Sequence, residues 1–227
     1  MKGKQLATHL VIAFLLFTTS LFAKSGTVDL GLELGTGMTD LRGNSILDRI
    51  NDPKIGFSAG LSLQFNLTKR AAIRTNFSLE RKGTQGTTDV LDPTSGIKIG
   101  ERTFHTNFQY FTMPMMGRVT FGKRVNFFVN AGPYISYLIR QETILDEFNI
   151  EPEVVQEETS NYRSFDAGLA AGLGMGLTIG QRLILSGEVR SNMGWVNASK
   201  LPVVGDGTVK TNSTMLLVGV AVRLGKS

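Results

Sequence analysis

The stretch RSFDAGLAAGLGMGLTIG, residues 163–180, decides the fold. From Phe165 to Ile179 every second residue is apolar, whereas the residues between them are small or polar and include Asp166. A period of two residues is typical of a β-strand with two unlike faces. In a soluble core the large apolar side chains face inward and the polar ones face water. Here the face opposite the apolar row is nearly bare and carries a carboxylate.

Seven further segments show the same alternation. They cover residues 27–38, 54–67, 71–80, 104–121, 125–139, 183–195 and 214–225. Each is about ten or more residues long, whereas strands of ordinary globular proteins average about five or six. The repeated pattern therefore predicts eight unusually long strands.

The segment 104–121 changes phase part-way along. Phe104, Phe108 and Tyr110 share one parity, whereas the apolar residues of the second half share the other. A β-bulge inserts one extra residue into a strand and so exchanges its two faces. We therefore predict a bulge near residues 110–112.

The connections between the segments alternate in length. Three short connections cover residues 68–70, 122–124 and 180–182. The long ones cover roughly residues 42–52, 84–103, 142–162 and 197–212. Short turns therefore lie at one end of the sheet and long loops at the other, and an even number of strands places both termini at the short-turn end.

This arrangement is typical of a bacterial outer-membrane barrel. Lipid outside accounts for the apolar row, and closure satisfies the backbone groups that an open edge would leave unpaired in hydrocarbon. Eight strands enclose an interior only wide enough for side chains. The sequence thus predicts an all-β fold, an eight-stranded antiparallel up-and-down transmembrane β-barrel. A soluble lipocalin-like barrel is the alternative, but its surface would then be the glycine-rich row.

The N-terminus has the features of a secretory signal peptide. Lys2 and Lys4 precede the apolar run LVIAFLLF, and small Ala23 offers a cleavage site. A single transmembrane anchor is the alternative, but the apolar run is too short for one. We predict a signal peptide over residues 1–23 and a barrel domain over residues 24–227, located in the outer membrane of a Gram-negative cell.

Composition excludes several other classes. The chain has no cysteine, so disulfides and thiolate metal sites are absent. Its formal charge is +5, and the basic residues are interspersed with acidic ones rather than arranged in a stripe with aromatics. Nucleic acid is therefore not an expected partner.

The row predicted to face the barrel interior carries charges of both signs. These residues are Asp29, Glu33, Arg74, Glu80, Arg118, Asp166, Glu188, Arg190 and Arg223. An isolated charge in a narrow interior is costly, so we expect ion pairs and hydrogen-bond networks. The charges are interpreted as a structural network that fills the barrel, with an ion path as the alternative.

Two stretches carry a family resemblance. They are FTMPMMGRVTFGKRVNFFVNAGPYISYLI, residues 111–139, and FDAGLAAGLGMGL with GEVRSNMGWVN, within residues 165–197. On these motifs the chain resembles the PorT-like outer membrane protein β-barrel family of Gram-negative bacteria, over most of residues 27–225. The resemblance implies an eight-stranded outer-membrane barrel, and Arg118 corresponds to the basic residue that follows the strand-end proline.

The family implies little about function, because its members are often described loosely as porins. PorT itself belongs to a protein-export machine. This chain also departs from a common outer-membrane pattern, in which the last residue is an aromatic insertion signal. It ends Leu224-Gly225-Lys226-Ser227 instead.

No motif indicates an enzyme. His105 is the only histidine after the predicted signal peptide, and Ser95 and Asp92 precede it in a long connection. Outer-membrane hydrolases usually place a histidine with such partners at the loop rim, but nothing in the spacing brings these three together. We expect His105 to be a polar rim residue and predict no catalytic site and no cofactor.

The connection 142–162 is acidic and contains neither lysine nor arginine. Clustered carboxylates could bind calcium, but the Asp-x-Asp-x-Asp-Gly spacing of a preorganised site is absent. We expect a solvated acidic loop and no metal site. Bridging through divalent cations to lipopolysaccharide phosphates is a second interpretation.

Aromatic residues are expected near both membrane interfaces. Those assigned to the short-turn end are Phe65, Phe121 and Phe127, and those assigned to the long-loop end are Phe104, Tyr137, Phe165 and Trp195. Lysines and arginines of the short turns are interpreted as solubilising charges.

Two classes of function follow from these features. One is a non-enzymatic monomeric barrel that acts in envelope structure or binds partners through its loops, surrounded by outer-membrane lipids and lipopolysaccharide. The other is a conduit, either a narrow pore or a PorT-like component of a protein-export machine with envelope or secretion proteins as partners.

Overall fold

A computed structural model describes residues 26–44, 51–148, 152–203 and 207–225. The predicted signal peptide and its cleavage site therefore lie outside the described residues. Within these ranges the strands are β1 (Val28–Arg42), β2 (Asn51–Asn66), β3 (Ala71–Leu91), β4 (Lys98–Gly122), β5 (Val125–Leu145), β6 (Val154–Glu157), β7 (Phe165–Ile179), β8 (Leu183–Gly194) and β9 (Lys210–Leu224).

Eight of these strands form a closed ring. Each of β1 to β4 pairs antiparallel with the next strand, β5 pairs with β7, and β7, β8 and β9 follow in order. The first and last strands close the ring in an unbroken register from Val28↔Leu224 to Arg42↔Lys210. The short strand β6 pairs with the end of β5 outside the ring. The predicted eight-stranded antiparallel barrel is confirmed.

The outward face is apolar, as the alternation predicts. Leu32 is 58 % exposed and lies between Leu61 and Val220, its exposed neighbours on β2 and β9. On β7, Leu173 is 65 % exposed, whereas Asp166 on the other face of the same strand is buried. In the described ranges, none of the helical structure is long and apolar enough to cross a membrane.

The prediction of a bulge in β4 is wrong. The pairing of β4 with β3 runs in one register through residues 98–112 except near the hairpin, and Phe108 and Tyr110 are fully buried on the same face as Thr112. The irregularity lies on β5, where Ile139 is left without a partner opposite Gln109 and Tyr110. Phe108 and Tyr110 therefore face the barrel interior.

The aromatic assignments hold only in part. Phe121 and Phe127 are exposed beside the short turns, and Tyr137, Phe165 and Trp195 are exposed towards the other end. Phe104, however, lies on the same face of β4 as the buried Phe108 and is only partly exposed. It does not belong to the outward aromatic set.

The expected long loop over residues 84–103 is also wrong. Strands β3 and β4 continue as a paired hairpin to Leu91 and from Lys98, so only a short turn connects them. Asp92 organises this turn, since its Oδ1 accepts hydrogen bonds from the backbone N–H groups of Thr94 and Ser95. The same bonds lower the pKa of the Asp92 carboxyl. The prediction relied on period-two apolar alternation, and residues 84–91 and 98–103 form strands without it.

Candidate functional site in the barrel interior

Glycines on the inner face of β7 leave room for large side chains from its neighbours. A Cβ atom on Gly172 would lie 2.5 Å from the Oε1 atom of Glu188, and one on Gly174 would lie 2.5 Å from the ring of Phe128. The small residues on the inner face of β7 therefore leave space that Phe128 of β5 and Glu188 of β8 occupy.

Glu33 on β1 lies at the centre of the charged interior. Its carboxylate accepts hydrogen bonds from Arg74 and Asn76 on β3, and Arg190 on β8 reaches its Oε2 atom at 3.4 Å. All four side chains are almost completely buried. Glu33 thus connects opposite walls of the barrel.

Glu188 forms the second centre. Arg190 donates from Nε to its Oε1 atom at 2.6 Å, and Arg118 reaches its Oε2 atom at 3.2 Å. Arg118 also donates to Asn130 at 2.7 Å and stacks over the ring of Phe128 at 3.7 Å. Because Arg190 contacts both Glu33 and Glu188, the two centres form one network.

A separate pair lies nearer the short turns. Arg223 on β9 donates two hydrogen bonds to Asp29 on β1, at 2.7 and 2.9 Å. Gln64 on β2 donates to the same carboxylate at 3.2 Å. Asp29 and Arg223 are direct register partners, so this bidentate pair spans the junction of the first and last strands.

The two remaining predicted acids have different environments. Asp166 accepts hydrogen bonds from the hydroxyls of Tyr134 at 3.2 Å and Thr211 at 2.8 Å, rather than from an arginine. Glu80 accepts from Ser213 at 2.8 Å and Asn192 at 3.3 Å.

Lys82 is a residue of this network that the sequence reasoning missed. It is buried, lies 3.3 Å from the Glu80 carboxylate and sits over the rings of Tyr110 and Tyr134. The even-numbered row of β3, which already includes Arg74 and Glu80, would have identified it if the predicted segment had not ended at residue 80.

An apolar cluster lies at the long-loop end of the barrel, and we call it the apolar cap. Its buried members are Leu41, Phe108, Tyr110, Leu138, Ala198 and Val209, with Tyr162 and Val203 packed against them. The ring of Tyr162 meets Phe108 edge-on at 4.9 Å. Burial raises the pKa of the Tyr162 hydroxyl, with a smaller contribution from Glu158.

A cavity of about 300 Å³ opens at the opposite end, and we call it the basal cavity. Its inner wall includes Arg74, Arg118 and the Asp29–Arg223 pair, and its rim includes turn residues such as Lys69 and Lys123. The interior is therefore asymmetric, with apolar packing at one end, charges in the middle and a polar cavity at the other end.

The three residues considered for hydrolysis are not brought together. His105 faces Asp146, with 3.5 Å between Nε2 and Oδ1. Ser95 and Asp92 bond to each other in the hairpin turn beyond Lys98. His105 lies seven positions along β4 from Lys98, which corresponds to roughly 23 Å.

The acidic connection is more structured than expected. Glu142 lies 3.1 Å from Arg81 and 3.5 Å from Arg140, and Glu157 lies 3.1 Å from Arg140. These carboxylates thus face arginines of neighbouring strands rather than one another. Among the described residues, no group of three or more acidic or histidine side chains has the arrangement to hold a metal ion.

The family follows from a sequence match that covers most of the barrel. The family model described as outer membrane protein beta-barrel domain matches residues 21–197. The chain belongs to this family. It is accordingly an outer-membrane β-barrel protein, and its apolar outer face and closed backbone ring agree with this assignment.

Solved outer-membrane barrels resemble the chain at low sequence identity. Ail of Yersinia pestis is 10 % identical, with 88 % of this chain and 99 % of that chain covered and a TM-score of 0.44. OprG of Pseudomonas aeruginosa is 10 % identical, with 89 % and 98 % covered and a TM-score of 0.42. A major outer membrane protein of Thermus thermophilus is 11 % identical, with 87 % and 99 % covered and a TM-score of 0.46. No curated protein matches the chain in sequence.

Proposed function

We propose that the protein is a closed, non-enzymatic outer-membrane barrel that acts in envelope structure or binds partners at the cell surface. The observation that carries this proposal is the presence of two successive layers of buried side chains inside the ring, the charged network and the apolar cap. A continuous water path would have to pass both.

The proposal is tested by conductance. Purified protein in planar bilayers is expected to give no large, stable current, and liposomes containing it are not expected to take up sugars. A steady porin-like current or sugar-dependent swelling would contradict the closed barrel and favour the pore interpretation. A large porin reconstituted in parallel checks that either assay detects transport.

The proposed orientation places the long-loop end outside the cell and both termini in the periplasm. Protease added to intact cells is then expected to cut within residues 84–103 or 142–162, most readily at the hairpin turn and beside β6. The turns at residues 68–70, 122–124 and 180–182 should be spared. Cleavage at those turns in intact cells would reverse the orientation.

We also propose that the protein is a monomer. We further propose that its first 23 residues act as a signal peptide that directs its export. The closed ring leaves no barrel edge through which copies would pair. Light scattering of the detergent-solubilised protein and N-terminal sequencing of the mature form test these two points separately.

A second candidate is a PorT-like component of a protein-export machine. The basal cavity favours it, since its rim carries Lys69, Arg70 and Lys123 and would face the periplasm. Such a rim suits an acidic segment of a periplasmic protein. Pull-down from native outer membranes should then recover secretion components, and a Lys69→Glu/Lys123→Glu variant should lose them while remaining folded.

A further inference from the structure

The outer surface of the barrel carries an amphipathic groove that extends from β1 to β5. The groove has a volume of about 600 Å³, and its apolar wall includes Leu34, Phe57 and Leu79. Its polar wall includes Arg81 and Arg140. The apolar residues belong to the outward, lipid-facing rows, so this groove is continuous with the membrane surface of the protein.

The register of the strands aligns its polar groups. Phe57 pairs with Arg81, Arg81 pairs with Gln109, and Gln109 pairs with Arg140. Neighbouring strands lie about 4.8 Å apart, so the two arginine positions are separated by about 10 Å. The next row towards the membrane is apolar, since Leu79 pairs with Phe111 and Phe111 with Tyr137.

The irregularity on β5 is what directs Arg140 outward. Ile139 has no partner on β4, and as a result Ile139 and Arg140 are both exposed although they are consecutive. A regular strand would have turned one of them inward. The extra residue therefore places a cation directly above the apolar surface.

The two guanidinium groups converge on one anionic position. The Glu142 carboxylate lies 3.1 Å from Arg81 and 3.5 Å from Arg140. Arg140 also donates from Nε to Glu157 at 3.1 Å. A guanidinium group has five N–H donors, so Glu142 and Glu157 together use only part of the capacity of the pair. Both arginines are about half exposed, and exposed ion pairs of this kind are weak enough to rearrange.

We propose that this groove binds lipid A, with a phosphate on Arg81 and Arg140 and an acyl chain along Leu34, Phe57 and Leu79. The inference rests on the proposed orientation, in which this end of the barrel lies in the outer leaflet. Arginine pairs suit phosphate because the fork of N–H donors matches its oxygens. The apolar wall below them matches a lipid chain rather than a soluble phosphate.

The test is a lipid titration of the full chain in mild detergent, followed by native mass spectrometry. The probes are bisphosphorylated lipid A, dephosphorylated lipid A and phosphatidylglycerol. Wild-type protein is expected to bind the bisphosphorylated form at least about tenfold more tightly than an Arg81→Ala/Arg140→Ala variant does. Lys200→Ala, a change at the same end but outside the groove, should bind like wild type.

A second variant keeps the proposal testable if the double variant fails to fold. Glu142→Gln removes the carboxylate that both arginines share and should strengthen binding of bisphosphorylated lipid A. Equal binding by wild type and the double variant, or unchanged binding by Glu142→Gln, would overturn the site. Phosphatidylglycerol bound as tightly as lipid A would overturn the choice of lipid. The conductance and proteolysis experiments report separately on the closed barrel and its orientation, so their failure is distinguishable from failure of this site.

Discussion

The two halves of β4 place their apolar residues on opposite sides of the same strand. In the half nearer the short turns, Phe111, Met115 and Val119 are exposed on the outer face, while Arg118 is buried inside. In the other half the arrangement reverses, because Phe108 and Tyr110 are buried inside and Gln109 is exposed.

The difference shows that the solvent outside the barrel decides which face is apolar. Along the first half the outer solvent is lipid, so the inside can hold charges that pair with one another. Beyond the membrane the outer solvent is water, and apolar side chains gain by facing inward as in a soluble protein. The apparent change of phase in the sequence therefore marks the membrane boundary and requires no bulge.

The largest expected effect comes from replacing, one at a time, two phenylalanines of β4 that lie three residues apart on opposite faces. Phe108→Ala leaves a cavity in the apolar cap and is expected to lower the free energy of unfolding by about 3–5 kcal/mol. Phe111→Ala should cost much less, because lipid can fill the space outside. Urea titration of the protein in phospholipid, followed by Trp195 fluorescence, measures both. Equal losses would remove the proposed difference between the two halves.

The outer face is tested by placing the same charge on both sides of the boundary. Leu173→Arg puts a charge into the middle of the lipid-facing surface and should cost about 2–4 kcal/mol. Leu91→Arg starts from a similarly exposed leucine in the hairpin beyond the membrane, and a change there should stay within about 0.5 kcal/mol. The same titration applies, and a tolerated Leu173→Arg would contradict lipid contact at that position.

Conductance measurements distinguish how much the charged network and the apolar cap each contribute to closing the barrel. Glu188→Ala removes the partner of Arg118 and Arg190 and opens space in the charged layer, but the apolar cap still covers it. The single variant is therefore expected to show at most a small current, whereas Glu188→Ala combined with Phe108→Ala should show a clear increase. Glu153→Ala, on an exposed residue near β6, serves as the control. If Glu188→Ala alone gave as large a current as the double variant, the charged network rather than the apolar cap would close the barrel.

The smallest expected effect is a loss of stability at alkaline pH that arises from Tyr162 in the apolar cap. Burial raises the pKa of Tyr162, so the folded state favours the neutral phenol. Its contribution to stability is fully present below the ordinary tyrosine pKa of about 10 and is lost as the pH rises above that value. Tyr162→Phe should therefore weaken the fall in unfolding free energy between about pH 9 and pH 12. Parallel pH profiles of wild type and variant would exclude a role for this hydroxyl.

Most of the ring could be predicted from the sequence because period-two alternation directly reports contact with lipid on one side. The same rule failed where lipid ends, since it ended the third segment at residue 80, assigned Phe108 to a bulged strand and assigned residues 84–103 of the hairpin to a loop. Lys82 was missed for this reason too. The pairing of individual charges also depends on which strands face each other across the barrel, and alternation along one strand carries no information about that.

The register between β1 and β9 has a kinetic consequence. These strands are the first and last of the barrel, and they pair over their whole length from Val28↔Leu224 to Arg42↔Lys210. Contacts so distant in the chain form late, and until they form the sheet has two open edges that attract other chains. Both edges must therefore stay protected from other chains until β9 pairs with β1, and the Asp29–Arg223 pair then joins the two strands near the short turns.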